Sequence, residues 1–322
     1  MMNSLNYDYY IKPLKSFQII TRYCLIESPY WKTFLEHYKS LGVTLFHICV
    51  QTNEDEEDFK SKFKSYCPNF KIHKINVALK SFNCKLLDPA LKNTLVVDSD
   101  EFIEIHQIDK WFDKLENYFD LKIPWAINTL ENIYEDTSTG FYGHASKPAC
   151  TTKSIIKIKS DHRFELNGFR KEFKNIYIDQ RYFIYFRSKF KKPNSVLIHF
   201  WSRSIKDVVL RTIFSRFKSF KQSDQSDFFE KIKSGKLPIR LKMMAYLNIQ
   251  RKYLDLKYKF RSDYIDEALE NQLLKTFGLT DILLDDIHKL YFDYKEKLLL
   301  NKKLPKYPSI FCVDMQKLKN YI

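Results

Sequence analysis

The sequence predicts an α/β chain, with a mostly parallel sheet flanked by helices over residues 14–203 and a helical extension over 204–322. Three observations carry that prediction. Short apolar, β-branched runs alternate with helical patterns through the first hundred residues, and such alternation builds parallel sheets. One run, Thr94-Leu95-Val96-Val97-Asp98-Ser99-Asp100-Glu101-Phe102, ends in three carboxylates within four positions. Beyond Ser204 the apolar period turns helical.

Taken in order, Ser16 to Leu25 reads as a first strand. Ser28 then stands as a helix N-cap with Pro29 as the first helical residue. Trp31, Phe34, Leu35, Tyr38 and Leu41 share one helical face, and Gly42 is placed to end the helix. Val43 to Val50 is a second buried strand, and the acidic turn Asn53 to Asp58 opens a second helix. Phe70 to Val77 is a third strand and Thr94 to Val97 a fourth. Helical spacing returns over Ile108 to Phe119, and Trp125 to Ile133 reads as a strand. Glu135 to Ala149 has no periodicity and is expected to be a loop, of a length that is often functional. Thr151 to Lys159, Ile176 to Phe186 and Val196 to Phe200 are further strands. Helices are expected at 204–220, 225–234, 240–260, 263–276 and 281–300.

Composition bounds the partners. The chain of 322 residues has a net charge of +15, which favours anionic partners. From Arg203 onward 25 Lys+Arg face 15 Asp+Glu, so most of the excess lies in the helical extension. Cys24, Cys49, Cys67, Cys84, Cys150 and Cys312 form no C-x-x-C pair and read as reduced thiols rather than a zinc site or disulfide frame. No signal peptide and no membrane-spanning run is apparent, so a cytoplasmic location is expected. The basic, amphipathic extension allows peripheral contact with the inner face of a membrane.

Chemistry centres on the acidic strand end. Carboxylates there lie where open α/β folds bind ligands. Asp98 and Asp100, two apart, are expected to point the same way from an extended backbone. Two converging oxygen donors suit Mg²⁺ or Mn²⁺, which also holds diphosphates. The plain alternative is an acidic strand end that caps a helix. Glu101 is expected to point away and cap or pair with a base, and Phe102 to enter the core. There is no P-loop, G-x-G-x-x-G or H-E-x-x-H, so nucleotide-hydrolase, dinucleotide and zinc-protease readings lose their support.

Glu27-Ser28-Pro29-Tyr30 through Leu41-Gly42-Val43, the D-x-D-E-F of Asp98 to Phe102, Lys153 to Lys157 with His162, and His199-Phe200-Trp201-Ser202-Arg203-Ser204 resemble, in order, segments of glycosyltransferase family 2-like and family 92-like enzymes. The resemblance covers about residues 16 to 220. It departs at Ile26, where the family has Asn, and in the unplaced acidic residue among Asn53, Glu54 and Asp55. It implies a GT-A fold and transfer of a sugar from a nucleotide diphosphate-sugar to a hydroxyl of a glycan or lipid-linked glycan, as in surface polysaccharide synthesis. It also implies a metal held by Asp98, Asp100 and His199, and donor contacts from Glu27, Asp98, Ser99, Lys153, His162 and Arg203. His199 reads equally as a buried histidine bonded to backbone, and Arg203 as a surface charge beside a capping box of Ser204 and Asp207. An inverting transferase needs a carboxylate base; Glu131, Glu135, Asp136, Asp161 and Glu165 are the candidates, with Glu135, Asp136 and Asp161 the main ones. The competing reading is a basic nucleic-acid-binding or scaffold protein, against which an acidic strand end would repel phosphate unless a metal is bound; no nucleic-acid partner is expected.

Overall fold

The structure is a computed structural model. It describes residues 17–105 apart from 68 and 77, 120–128, 140–160, 163–166, 195–200, 203–216, 230–236 apart from 235, 265–279, and scattered residues between 285 and 296. The chain divides into two compact units, Met1–Ala126 with Tyr142–His199, and Ile127–Phe141 with Phe200–Asn320.

The expected α/β class is what the first unit shows. Strands β1 (Phe17–Arg22), β2 (Leu45–Val50), β3 (Phe70–Lys74) and β4 (Asn93–Val96) are joined through helices α1 (Ser28–Ser40) and α2 (Asn53–Phe63). All four are parallel, in the spatial order β3-β2-β1-β4. Strands β1, β2 and β4 are buried almost without interruption because both sheet faces are covered. On one face Ile20, Cys49, Val96 and Cys150 meet Ile75, Leu79, Phe82 and Leu87, together with Ile158 and Phe164. On the other, Trp31 of α1 packs edge-on against Tyr23 at 5.0 Å and against Phe59 of α2 at 5.5 Å.

Helix α1 begins one residue before the expectation. Glu27 is its N-cap, its side chain making no capping bond to the helix, and Ser28 is already helical. Its end is as read: Gly42 has φ 91°, and Val43 N–H bonds to Tyr38 C=O at 3.0 Å and Gly42 N–H to Lys39 C=O at 2.9 Å. Those two bonds satisfy carbonyls that a helix end otherwise leaves open. At α2, Thr52 caps the Asp55 amide at 3.1 Å. Asp55 in turn accepts from the Leu25 amide at 2.9 Å, which fastens the turn after β1 to the second helix.

Beyond β4 the structure corrects several expectations. Glu101–Ile105 forms a strand, β5, that the sequence reading did not separate from the motif. Strand β6 spans Asp120–Asn128, earlier than the Trp125–Ile133 expected. Gly140–Thr151 is strand β7, not loop; its antiparallel register with β4 pairs Thr94 with Cys150. Backbone pairing to a sheet neighbour needs no apolar alternation, so periodicity could not reveal it. A short 3-10 turn at Thr152–Ser154 precedes β8 (Ile155–Ser160), and the unpredicted β9 (Arg163–Leu166) makes a hairpin with it. Strand β10 (Ser195–His199) runs antiparallel to β5. The expected elements at 108–119, 176–186 and 240–260 lie outside the described residues.

In the second unit, helices α3 (Ile205–Arg216) and α4 (Glu267–Thr276) fall within the expected spans. Among the described residues no helix is long and apolar enough to cross a membrane, and Cys24, Cys49, Cys67, Cys84 and Cys150 are not in disulfides.

Candidate functional site

The strand order places the acidic motif. From β1 the chain steps outward to β2 and β3, then returns to place β4 on the other side of β1. The crevice between the carboxyl ends of β1 and β4 is therefore the point where the direction of winding reverses, and open α/β sheets bind ligands there. Residues 97–100 follow β4 directly at this point, and Tyr23 to Glu27 follow β1.

The motif is a turn and not a strand end. Strand pairing stops at Val96, and the Glu101 amide bonds back to the Asp98 carbonyl at 3.0 Å. Asp98 and Asp100 are thus not aligned by strand alternation, contrary to the expectation. Glu101 is fully buried, and its Oε2 accepts from the Asp98 amide at 2.7 Å, closing the turn from inside. The Tyr38 hydroxyl of α1 donates to the Glu101 carbonyl at 2.9 Å. Phe102 is in the core, with His37 at 5.1 Å and Phe34 at 6.1 Å.

Two side-chain bridges cross the crevice. Arg22, the last residue of β1, donates from Nη2 to Asp98 Oδ1 at 3.0 Å, with side chains 39% and 24% exposed. The Ser99 hydroxyl donates to Glu27 Oε2. Sequence reasoning named Glu27, Asp98 and Ser99 but passed over Arg22. The signal was available: Arg22 is the first charged residue after a buried run, as Asp98 is after β4.

Asp100 faces a different partner. Register pairs His199 of β10 with Glu101 of β5, which brings His199 Nε2 to 3.1 Å from Asp100 Oδ2. The Asp100 side chain is 2% exposed and that of His199 11%. Two ligands that are neighbours in an octahedral shell with bonds of about 2.1 Å lie about 3 Å apart. The oxygen–nitrogen pair therefore fits two positions around one Mg²⁺ or Mn²⁺ ion. Among the described residues no three His, Cys, Asp or Glu form a group that could hold a metal. Such ions commonly take one or two carboxylates and complete their shell with water and substrate phosphate.

Lys153 lies apart from this crevice within the first unit. Lys153 is exposed in the turn before β8. Its neighbour Thr152 bonds Gln18 and Thr94 at the starts of β1 and β4, at 3.3 and 2.9 Å. Lys153 thus lies toward the amino ends of the strands, and β1 from Gln18 to Arg22 is about 13 Å long. Lys157 and Lys159 hold Glu165 at 3.1 and 3.3 Å, and these bonds keep the Glu165 carboxyl below its usual range. In the second unit Arg203 is fully buried and grips Asp207 through Nε and Nη2, both at 3.1 Å. Ser204 caps the Asp207 amide at 2.9 Å, as its spacing suggested. Glu131, Glu135, Asp136, Asp161 and His162 lie outside the described residues.

No protein-family model matches the chain, and no curated protein does. Among solved structures, HddC from Yersinia pseudotuberculosis is similar at 11% identity and a TM-score of 0.30, covering 56% of this chain and 88% of its own. TarS 1-349 of S. aureus is similar at 10% identity and a TM-score of 0.31, covering 91% and 93%. At that level neither likeness bears on the site, and the geometry above stands by itself.

Proposed function

We propose that this chain is a metal-dependent glycosyltransferase that moves a sugar from a nucleotide diphosphate-sugar to a hydroxyl of a glycan or lipid-linked glycan. One observation carries the reading: a carboxylate-rich turn stands at the winding reversal of a parallel sheet, with Asp100 held against His199 at 3.1 Å. Asp100 and His199 would hold Mn²⁺ or Mg²⁺, with water and the donor's phosphates completing its shell, and its positive charge would stabilise a leaving diphosphate. Glu27 and Ser99 fix the turn that presents these groups, and Glu101 braces it from the core. A base for the acceptor hydroxyl is sought among Glu135, Asp136 and Asp161, in the stretch that follows the motif. The basic extension from residue 204 would meet the acceptor or the membrane surface that carries it.

The test is a thermal-shift screen with Mn²⁺ and UDP-, GDP- and CMP-sugars, followed by donor hydrolysis. At least one donor should stabilise the protein only when metal is present. Asp100→Ala should fold and lose metal-dependent hydrolysis by 100-fold or more, in keeping with loss of a charged transition-state contact. Stabilisation by DNA or RNA with no response to any donor would favour the basic-binder reading instead.

A further inference from the structure

We infer that the layer covering one face of the first unit's sheet docks on an anionic lipid bilayer, through exposed lysines that meet the headgroups and two aliphatic side chains that enter the interface. This surface is separate from the basic extension after residue 204, and docking there requires neither donor nor metal.

The layer consists of the 3-10 turns Leu79–Ser81 and Cys84–Leu86, both packed against β8, and of β9 paired with β8. Its inner side is apolar, with Leu79, Phe82, Ile158 and Phe164 buried against the sheet. Its outer side combines two kinds of group. Leu86 is 46% exposed and Ile156 52%. Among the described residues the other large apolar side chain with high exposure is Tyr66, and Lys32 Nζ stands over its ring at 5.4 Å. Leu86 and Ile156 are brought together because the Cys84 thiol meets the Ile158 backbone, and each stands two residues from that contact. Lys80, Lys85, Lys153, Lys157 and Lys159 are exposed on the same turns, on β8 and just before it. Lys157 and Lys159 share the Glu165 carboxylate. Asp88 is half-buried and accepts from the Ala90 amide at 2.9 Å. Over residues 79–92 and 152–166 the sequence has seven Lys+Arg against three Asp+Glu, a net charge of +4.

That combination fits a bilayer better than a nucleic acid. Single strands are held by exposed aromatic side chains that stack on bases, and the aromatic side chains of this layer, Phe82 and Phe164, are buried. Duplex phosphates would use the lysines and leave both aliphatic side chains in water. At an anionic bilayer each group has a place. Leu86 and Ile156 leave water for the acyl boundary, which is favourable in proportion to the apolar area removed. The ammonium groups stay among the negative headgroups, where each lysine adds attraction, while their methylene stems lie along the apolar surface. The crevice between β1 and β4 belongs to the same unit, so docking holds it at the membrane.

Co-sedimentation of the full chain with phosphatidylcholine vesicles, with and without about one third phosphatidylserine, tests the inference. The wild type should bind the anionic vesicles and leave the neutral ones. The triple variant Lys80→Gln, Lys85→Gln, Lys153→Gln should bind about 100-fold more weakly, at about fivefold for each lysine. Leu86→Ser with Ile156→Ser should bind about tenfold more weakly. All five side chains are exposed, and melting temperatures establish that both variants fold. No binding by the wild type, equal binding to the two kinds of vesicle, or wild-type affinity in either variant would overturn the inference. Binding of duplex DNA, lost in the lysine variant and kept in the aliphatic one, with no vesicle binding, would give the surface to nucleic acid instead. A wild-type dimer in sedimentation equilibrium that the aliphatic variant turns into a monomer, again with no vesicle binding, would give it to a second copy of the chain. None of these outcomes bears on the screen with donors and metal, so docking and the transferase reading fail separately.

Discussion

Acidification from pH 7 to pH 5 is expected to cost about 2 kcal/mol of stability through one buried histidine. His47 lies in the middle of β2 with no exposed surface. Its Nε2 bonds Gln18 Oε1 at 2.7 Å and its Nδ1 meets His73 Nε2 at 3.0 Å. Burial, then the charges of His73 and Lys71, push its pKa from 6.5 down to about 3, against a small opposing pull from Asp88. Between those values the unfolded chain binds a proton that the folded chain refuses. Stability therefore rises with pH across this window, and falls on acidification by up to about 1.4 kcal/mol per pH unit. Integrated from pH 7 to pH 5 this comes to about 2 kcal/mol. Burial also lowers the pKa of His73, which adds loss of the same sign. Glu56 and Glu165 are held below their usual 4.5 by lysines. Their contribution is present above that value and is lost as pH falls through the folded pKa, so they are silent at pH 5. Urea unfolding followed by tryptophan fluorescence, repeated at half-unit steps, measures the slope. His47→Gln, which can retain the bond to Gln18, should flatten the slope by more than half. A flat wild-type profile, or a variant with the wild-type slope, would refute the assignment.

Two further outcomes follow from the same kind of reasoning. Asp207→Ala removes the two bonds that Asp207 accepts from the Arg203 guanidinium, in a site with no exposure; it should cost about 3–5 kcal/mol, and a loss below 1 kcal/mol in thermal melting would show that other groups or water take up the guanidinium. Gly42→Ala places a Cβ at φ 91° and should cost roughly 1–2 kcal/mol, measurable as a lowered urea midpoint; no change would mean that the end of α1 re-forms in another conformation.

The parallel part of the fold was legible because each element announces itself locally. Trp31, Phe34, Leu35 and Tyr38 fall on one helical face, and all are fully buried. Gly42 ends its helix for a reason of backbone sterics that needs no partner. The antiparallel strands were not legible to the same degree. Strand β7 contains Gly140, Gly143 and Pro148 and lacks alternation, yet its backbone pairs with β4. The site shows the same division. Asp98 and Asp100 were picked out by residue type and position and His199 through the family resemblance, whereas Arg22 entered through pairing across the sheet.

By itself the sequence determined that a buried strand is followed at once by Asp98, Ser99 and Asp100, because apolar runs and charged flanks are properties of neighbouring residues. It also determined the alternation of strands and helices that puts such an end at the rim of a sheet. Only the tertiary structure decided which groups meet there. Whether Asp98 faces Arg22 and Asp100 faces His199 depends on strand order and register between segments 76 and 99 residues apart. A chain records no such distance in its local pattern; it is settled when the sheet closes and each carboxylate takes the nearest cation or imidazole.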